Sequence, residues 1–162
     1  MRPLSMLGLL AALAVALPAQ AQNAGQIGRA RAGANCPGCN LFQADFGGLQ
    51  MRARDFSHAR LRQADLSLGV MNRTSFAGAD LRDVEAYGGV FTGADFRGAN
   101  LTNASFVGAF LQAANFSGAI LDGANFSGAQ MGRVQGLSQA QLNRACGDPA
   151  TVLPSGLRIR PC

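Results

Sequence analysis

From Leu41 to Met131 every fifth residue is a large apolar side chain, with Ala86 the one exception. The pattern runs through 19 consecutive five-residue units without an insertion or a change of phase. A period of five fits neither the turn of an α-helix nor the two-residue alternation of a flat strand. Taken 20 residues apart, the units sort into columns of like residues. Leu41, Leu61, Leu81, Leu101 and Leu121 form one, and Phe56, Phe76, Phe96 and Phe116 another. A third runs Met51, Met71, Phe91, Leu111, Met131, and the fourth Phe46, Leu66, Ala86, Phe106, Phe126. This recurrence predicts a coil of 20 residues stacked on the next. Two residues before most centres the side chain is small, as at Ala44, Ala64, Ala94, Ala99, Ala114 and Ala124. Two of every five residues therefore point inward and three outward. The predicted fold is all-β: four short faces and four corners per coil, with coils spaced by about 4.8 Å into a rod roughly 24 Å long.

Glycine marks two of the corners, at Gly48, Gly88, Gly108, Gly128 and at Gly38, Gly78, Gly98, Gly118. The other two carry Gln43, Gln63, Asp83, Asn103 and Ala53, Arg73, Ala113. Glycine at the third position of a tight turn suits the positive φ of type II geometry. Two alternating corner types are therefore expected. The column at Ala86 loses volume and is the expected weak point of the core, with Val84 standing where the unit usually has alanine.

The units Ala64-Asp65-Leu66-Ser67-Leu68, Ala94-Asp95-Phe96-Arg97-Gly98, Ala99-Asn100-Leu101-Thr102-Asn103 and Ala114-Asn115-Phe116-Ser117-Gly118 resemble the A(D/N)LXX unit of the pentapeptide repeat family. The resemblance covers about residues 34–135 and implies a right-handed quadrilateral β-helix. It says almost nothing about function, because fold and function are separable.

The ends suggest a compartment. Arg2, the apolar run Leu4–Leu17, Pro18 and Ala19-Gln20-Ala21 read as a secretory signal peptide over residues 1–21. The run is too short for a spanning helix. Residues 22–33 read as a flexible leader, 34–135 as the repeats, and 136–162 as a capping helix and tail. A soluble, periplasmic or secreted protein is expected, with no membrane insertion after cleavage. Ser138 to Gln141 forms a capping box flanked by Leu137 and Leu142, which predicts a short helix from about 139 to 146 over the last coil. Four cysteines suit an oxidising compartment. Cys36 and Cys39 occupy inward positions across one Pro-Gly corner, while Cys146 and Cys162 lie beyond the far end. Bridges 36–39 and 146–162 are expected because the rod separates the pairs, although the tail is long enough to reach back and the other pairings stay open. A redox use of Cys36 and Cys39 is the alternative, but that chemistry wants a helix N-terminus to lower the thiol pKa.

Charge narrows the function classes. The chain carries a formal +5. Within residues 34–135, however, eight arginines face eight acidic residues, and the excess sits at the ends. A neutral rod argues against nucleic acid, which wants a basic stripe. It also argues against the DNA mimicry toward type II topoisomerases that the family resemblance offers as an alternative. Asp55, Ser57 and His58 lie on a convex corner without a cleft, so no enzyme and no cofactor are implied. Asp45, Asp65 and Glu85 stack at one outward position. Arg62 and Arg82 are the expected countercharges there, and calcium is the weaker metal candidate. The next face reads Gln50, Val70, Val90, Phe110, Gln130 outward, flanked by Leu68, Tyr87 and Val107. Leu68, Val70, Tyr87, Val90, Val107 and Phe110 form an expected apolar strip three coils tall, for a homodimer or a protein partner.

Overall fold

A computed structural model describes residues 22–162, so the expected signal peptide over residues 1–21 lies outside the described residues. The hydrogen bonds of one unit explain why five residues make one side of a coil. Phe96 N–H donates to the Asn115 carbonyl at 2.8 Å and Gly98 N–H to Ser117 at 3.0 Å. Ala99 N–H closes the corner onto the Phe96 carbonyl at 3.0 Å, and Asn100 N–H reaches Ala79 in the coil before at 2.9 Å. The remaining N–H, on Arg97, is taken by the Asp95 carboxylate at 3.0 Å. Every backbone donor of the unit is thereby satisfied. The last bond also explains the Asp or Asn of the repeat, whose side chain accepts from the backbone two residues on, as an Asx turn does. The same bond recurs from Asp45 to Gly47, Asp65 to Ser67, Asn115 to Ser117 and Asn125 to Ser127.

Parallel bridges join residues 20 apart on all four sides: Asn40–Arg60–Asp80–Asn100–Ile120, Asp45–Asp65–Glu85–Ser105–Asn125, Gln50–Val70–Val90–Phe110–Gln130 and Asp55–Ser75–Asp95–Asn115–Gln135. Each side is one bridge wide. Regular strands occur among the described residues only in the tail, as β1 (Cys146–Gly147) and β2 (Arg160–Pro161). The corners differ from the expectation of two types. Every fifth residue from Gly38 to Gly128 has positive φ, including Gln43, Ala53, Gln63, Arg73, Asp83, Asn103 and Ala113 at 54–59°. The left-handed conformation is strained but reachable for these residues. Ladder bonds such as Gln43 N–H to the Arg62 carbonyl (2.9 Å) and Ala53 N–H to Asn72 (2.8 Å) hold them there.

The columns run buried down the axis. Phe76, Phe96 and Phe116 stack nearly parallel with ring centroids 5.2 and 5.1 Å apart. Ala86 is fully buried, and its coil recovers volume in two places. Val84 is buried beside it, and Phe91 stands where that column otherwise holds Met or Leu, meeting Phe106 edge-on at 5.6 Å. The alanine is thus compensated within its own coil.

Helices and tail close the ends. Residues 22–33, expected to be a flexible leader, contain helix α1 (Ala24–Arg31). Asn23 caps it by accepting from Gln26 N–H, Ala30 is buried, and Ile27 packs on the core. The spacing of Ile27 and Ala30 gives the helix one apolar stripe to lay over the open coil. At the other end α2 (Gln139–Leu142) is shorter than expected but has the complete capping box. Gln141 Nε2 also donates to the Phe116 and Ala119 carbonyls, both at 2.9 Å. Leu142 and Ala145 are fully buried, and the tail extends two ladders through the Asn125–Cys146 and Gln130–Val152 bridges.

Candidate functional site

Three sides of the coil carry Asp or Asn at the bridge position, where it ties down the following corner. The fourth carries none: Gln50, Val70, Val90, Phe110 and Gln130 stack there in one parallel ladder. At the adjoining corner Leu68 is 61% exposed and Tyr87 57%, and Phe110 on the ladder is 49% exposed. Val70, Val90 and Val107 are half-buried between them. Leu68 also breaks the local rule of its column. Gly48, Gly88, Gly108 and Gly128 hold the equivalent corners, whereas Leu68 adopts φ 57° with a side chain that gains little burial. Its Cδ2 lies where a Cβ on Gly88 would be only 2.9 Å away, so the glycine leaves room for the leucine over the next coil. Val70, Val90 and Phe110 thus share one bridge ladder, and Leu68, Tyr87 and Val107 lie at the corner that precedes it in the chain. Val152, 43% exposed, extends the ladder by one step. Sequence reasoning missed it because the tail leaves the 20-residue register.

Several charges of the rod are paired within it. Away from the patch, Arg82 pairs with Asp80 and Arg97 with Asp95, both at 2.6 Å, and Arg144 pairs with Asp122. Hydrogen bonds from the Arg97 side chain hold the Asp95 carboxyl below its ordinary range, against a partial burial that raises it. Burial raises Asp80, but the Arg82 side chain, the Arg82 backbone N–H and the charges of Arg82 and Arg62 together bring it below its ordinary value. On one margin of the patch, Asp65 and Glu85 have no ion-pair partner among the described residues. The arginines expected to neutralise them are engaged elsewhere, Arg82 with Asp80 and Arg62 with Asp83 at 3.7 Å. Asp45 is served by Arg31 of α1 at 3.2 Å. No group of three or more metal-ligating side chains is arranged to hold an ion among the described residues, and the Asp45, Asp65, Glu85 ladder is not such a group. On the opposite margin Arg52 and Arg73 line a cleft of about 290 Å³ with Asn72 and Thr92, and neither has an acidic partner among the described residues.

Other candidate chemistry is placed as follows. Cys36 is bonded to Cys39 and Cys146 to Cys162, with Cα atoms 5.4 and 4.7 Å apart. Cys36 and Cys39 are both buried and follow α1 rather than opening a helix. His58 is exposed on its corner, and the Asp55 carboxylate accepts from Ser57 N–H at 2.9 Å, so Asp55 caps backbone. An apolar groove of about 410 Å³ runs beside Ile120, Leu121, Ala140 and Gln141, where α2 meets the last coil. No helix among the described residues is long and apolar enough to cross a membrane.

Comparison with known proteins places this architecture. The profile of the pentapeptide repeats matches in eight copies across residues 55–93, 86–118 and 99–134. No curated protein matches the chain in sequence. Among solved structures, a pentapeptide repeat protein from the cyanobacterium Cyanothece 51142 is 24% identical over 68% of this chain and 64% of its own, with a TM-score of 0.31. HetL from Nostoc sp. strain PCC 7120, involved in heterocyst differentiation regulation, is 23% identical over 79% of this chain and 61% of its own, TM-score 0.31. QnrB1, a plasmid-mediated fluoroquinolone resistance protein, is 20% identical over 74% of this chain and 76% of its own, TM-score 0.33. The chain spans 64% and 61% of the length of the two cyanobacterial proteins. The eight-copy match and the bridge ladders agree on one repeat architecture, and the chain belongs to the pentapeptide repeat family.

Proposed function

We propose that the protein is an exported, non-enzymatic binding module, a right-handed quadrilateral β-helix that docks another protein on the Val70–Val90–Phe110 face. One observation carries this reading. On that face alone the Asx caps that stabilise the repeat are all replaced, three of them by apolar side chains, and its corner bears a leucine in a conformation suited to glycine. Local rules broken without a folding gain mark places where a sequence serves something other than its fold. A contiguous exposed apolar patch is what an interface presents. Two disulfides and the Leu4–Leu17 run with Ala19-Gln20-Ala21 support export.

The docking test is Phe110→Arg. A charge on the largest exposed side chain of this apolar ladder is expected to weaken association by about thirtyfold or more, with circular dichroism and melting unchanged. Association equal to that of the parent protein would overturn the reading. For export, the chain expressed with its leader in a bacterium is expected in the periplasm, starting at Gln22 with no titratable thiol. Recovery of the full-length, thiol-bearing chain from the cytoplasm would refute it.

A further inference from the structure

We infer that the partner of this face is a second copy of the chain, lying parallel to the first about a two-fold axis that runs along the rod. The inference rests on the docking reading above and follows from how charge is distributed across the strip. Going around the coil, the order is carboxylates (Asp65, Glu85), apolar corner (Leu68, Tyr87), apolar ladder (Val70, Val90, Phe110), then arginines (Arg52, Arg73). These four charges form no ion pair among the described residues, whereas Asp80, Asp95 and Asp122, away from the strip, are each paired to an arginine. The strip is therefore an apolar band with carboxylates along one edge and arginines along the other.

Such a band is complementary to itself in one arrangement only. When two copies meet face to face, a two-fold axis along the rod brings the left edge of one against the right edge of the other. Carboxylates then face arginines on both sides, at the same coil level, since Asp65 and Arg73 belong to one turn of the helix. A two-fold axis across the rod would set the copies antiparallel and place like edges together, arginine against arginine and carboxylate against carboxylate. Charge thus selects the parallel dimer and rejects the antiparallel one, which is how edge charges usually act at interfaces. In the parallel arrangement the apolar corner of one copy also receives the arginine corner of the other. Arg73 can lay its stem and guanidinium over the Tyr87 ring and reach Glu85 behind it. The apolar band covers three coils, about 14 Å of rod, and is small beside the roughly 800 Å² per partner of a standard interface. The charged edges must take part, and the dimer is salt-sensitive for that reason.

Light scattering and sedimentation on the oxidised, mature protein test the pairing. The parent protein is expected to dimerise and to dissociate as salt rises. Arg73→Asp is expected to weaken the dimer roughly tenfold, since the symmetry axis makes each contact twice. Asp65→Arg does the same, and the double variant Arg73→Asp with Asp65→Arg restores association by exchanging the edges. Register is read with Gln50→Cys and Gln130→Cys, at the two ends of the ladder. Parallel copies cross-link each variant to itself. Antiparallel copies link the two variants only to each other, which would overturn the arrangement. A dimer lost in Phe110→Arg but indifferent to the edge charges would sink the parallel pairing while leaving the docking face intact. A dimer that survives Phe110→Arg would sink both. A monomer at all concentrations would exclude the second copy as partner.

Discussion

Leu68 concentrates the conflict between fold and surface in one residue. Its backbone sits at φ 57° in a column where Gly48, Gly88, Gly108 and Gly128 adopt 61–67° without strain. The left-handed region is unfavourable for a leucine by about 1–2 kcal/mol, and its exposed side chain recovers little of that from packing. Leu68→Gly is therefore expected to raise the unfolding free energy by about 0.5–1 kcal/mol, after the extra chain entropy of glycine is subtracted, while weakening association. Denaturant titration beside light scattering checks both halves, and a destabilised variant would show that the leucine serves the fold. Gly89 makes the opposite point in the core. A Cβ there would lie 2.5 Å from Cε2 of Phe91 and 3.3 Å from the Ala86 carbonyl. Gly89→Ala should push the ring off its place beside Phe106 and cost about 1–3 kcal/mol by overpacking. Sequence alone reads position 86 as a deficit. It could not show that Phe91 leans back over its own glycine to fill the coil, because that depends on a rotamer and not on the period.

At the scale of elements, the ends were harder to read than the middle. A coil is dictated by 19 repetitions of one rule, so a single misread unit changes nothing. The capping elements occur once each, and their roles depend on which open groups they meet. The Ser138–Gln141 box was legible as a helix start. That Gln141 also satisfies the Phe116 and Ala119 carbonyls was not, since neither residue is near it in sequence. Gln141→Ala removes the reciprocal cap and both of these bonds, and is expected to cost about 2 kcal/mol. Amide exchange should then quicken first in the coil at Phe116 and Leu121. The helix in the leader is hidden from the sequence for a related reason. Nothing in residues 22–33 signals a core-facing element until Asn23 is seen to cap α1 and Ala30 to sit on the first coil. The tail is fixed by the Cys146–Cys162 bond and the β1–β2 pairing. Replacing both cysteines by serine reopens a loop of sequence separation 16 and should lower stability by about 3 kcal/mol. A loss confined to the tail, with the coils' melting unchanged, would mean that the C-terminal cap unfolds as a unit of its own.

Seen whole, the molecule is a one-dimensional stack in which each coil bonds only to its neighbours, so its response to acid is set by carboxylates repeated along the sides. Asp95 illustrates the two functions that such a group combines. It accepts the Arg97 backbone N–H at 3.0 Å, which any Asx residue could do, and it pairs with the Arg97 guanidinium, which only an anion can. Bonds from the Arg97 side chain hold its pKa below the ordinary 3.8, and Asp122 is lowered in the same way by Arg144. A carboxyl whose native pKa is depressed contributes stability that is fully present above the unfolded value and is lost as pH falls through the native one. Stability from these pairs should therefore be level from neutral pH to about 5 and decline below about 4. Asp95→Asn separates the two functions. Asn100, Asn115 and Asn125 already cap the same turn elsewhere in the stack through their Oδ1 atoms. The amide should keep that bond, leaving the melting temperature at pH 7 within a degree or two of the parent, because an exposed ion pair contributes little. It cannot lose stability by protonation, so the decline below about pH 4 should be shallower than in the parent. A variant that melts early at neutral pH would mean that the charge, and not the cap, holds this corner of the coil.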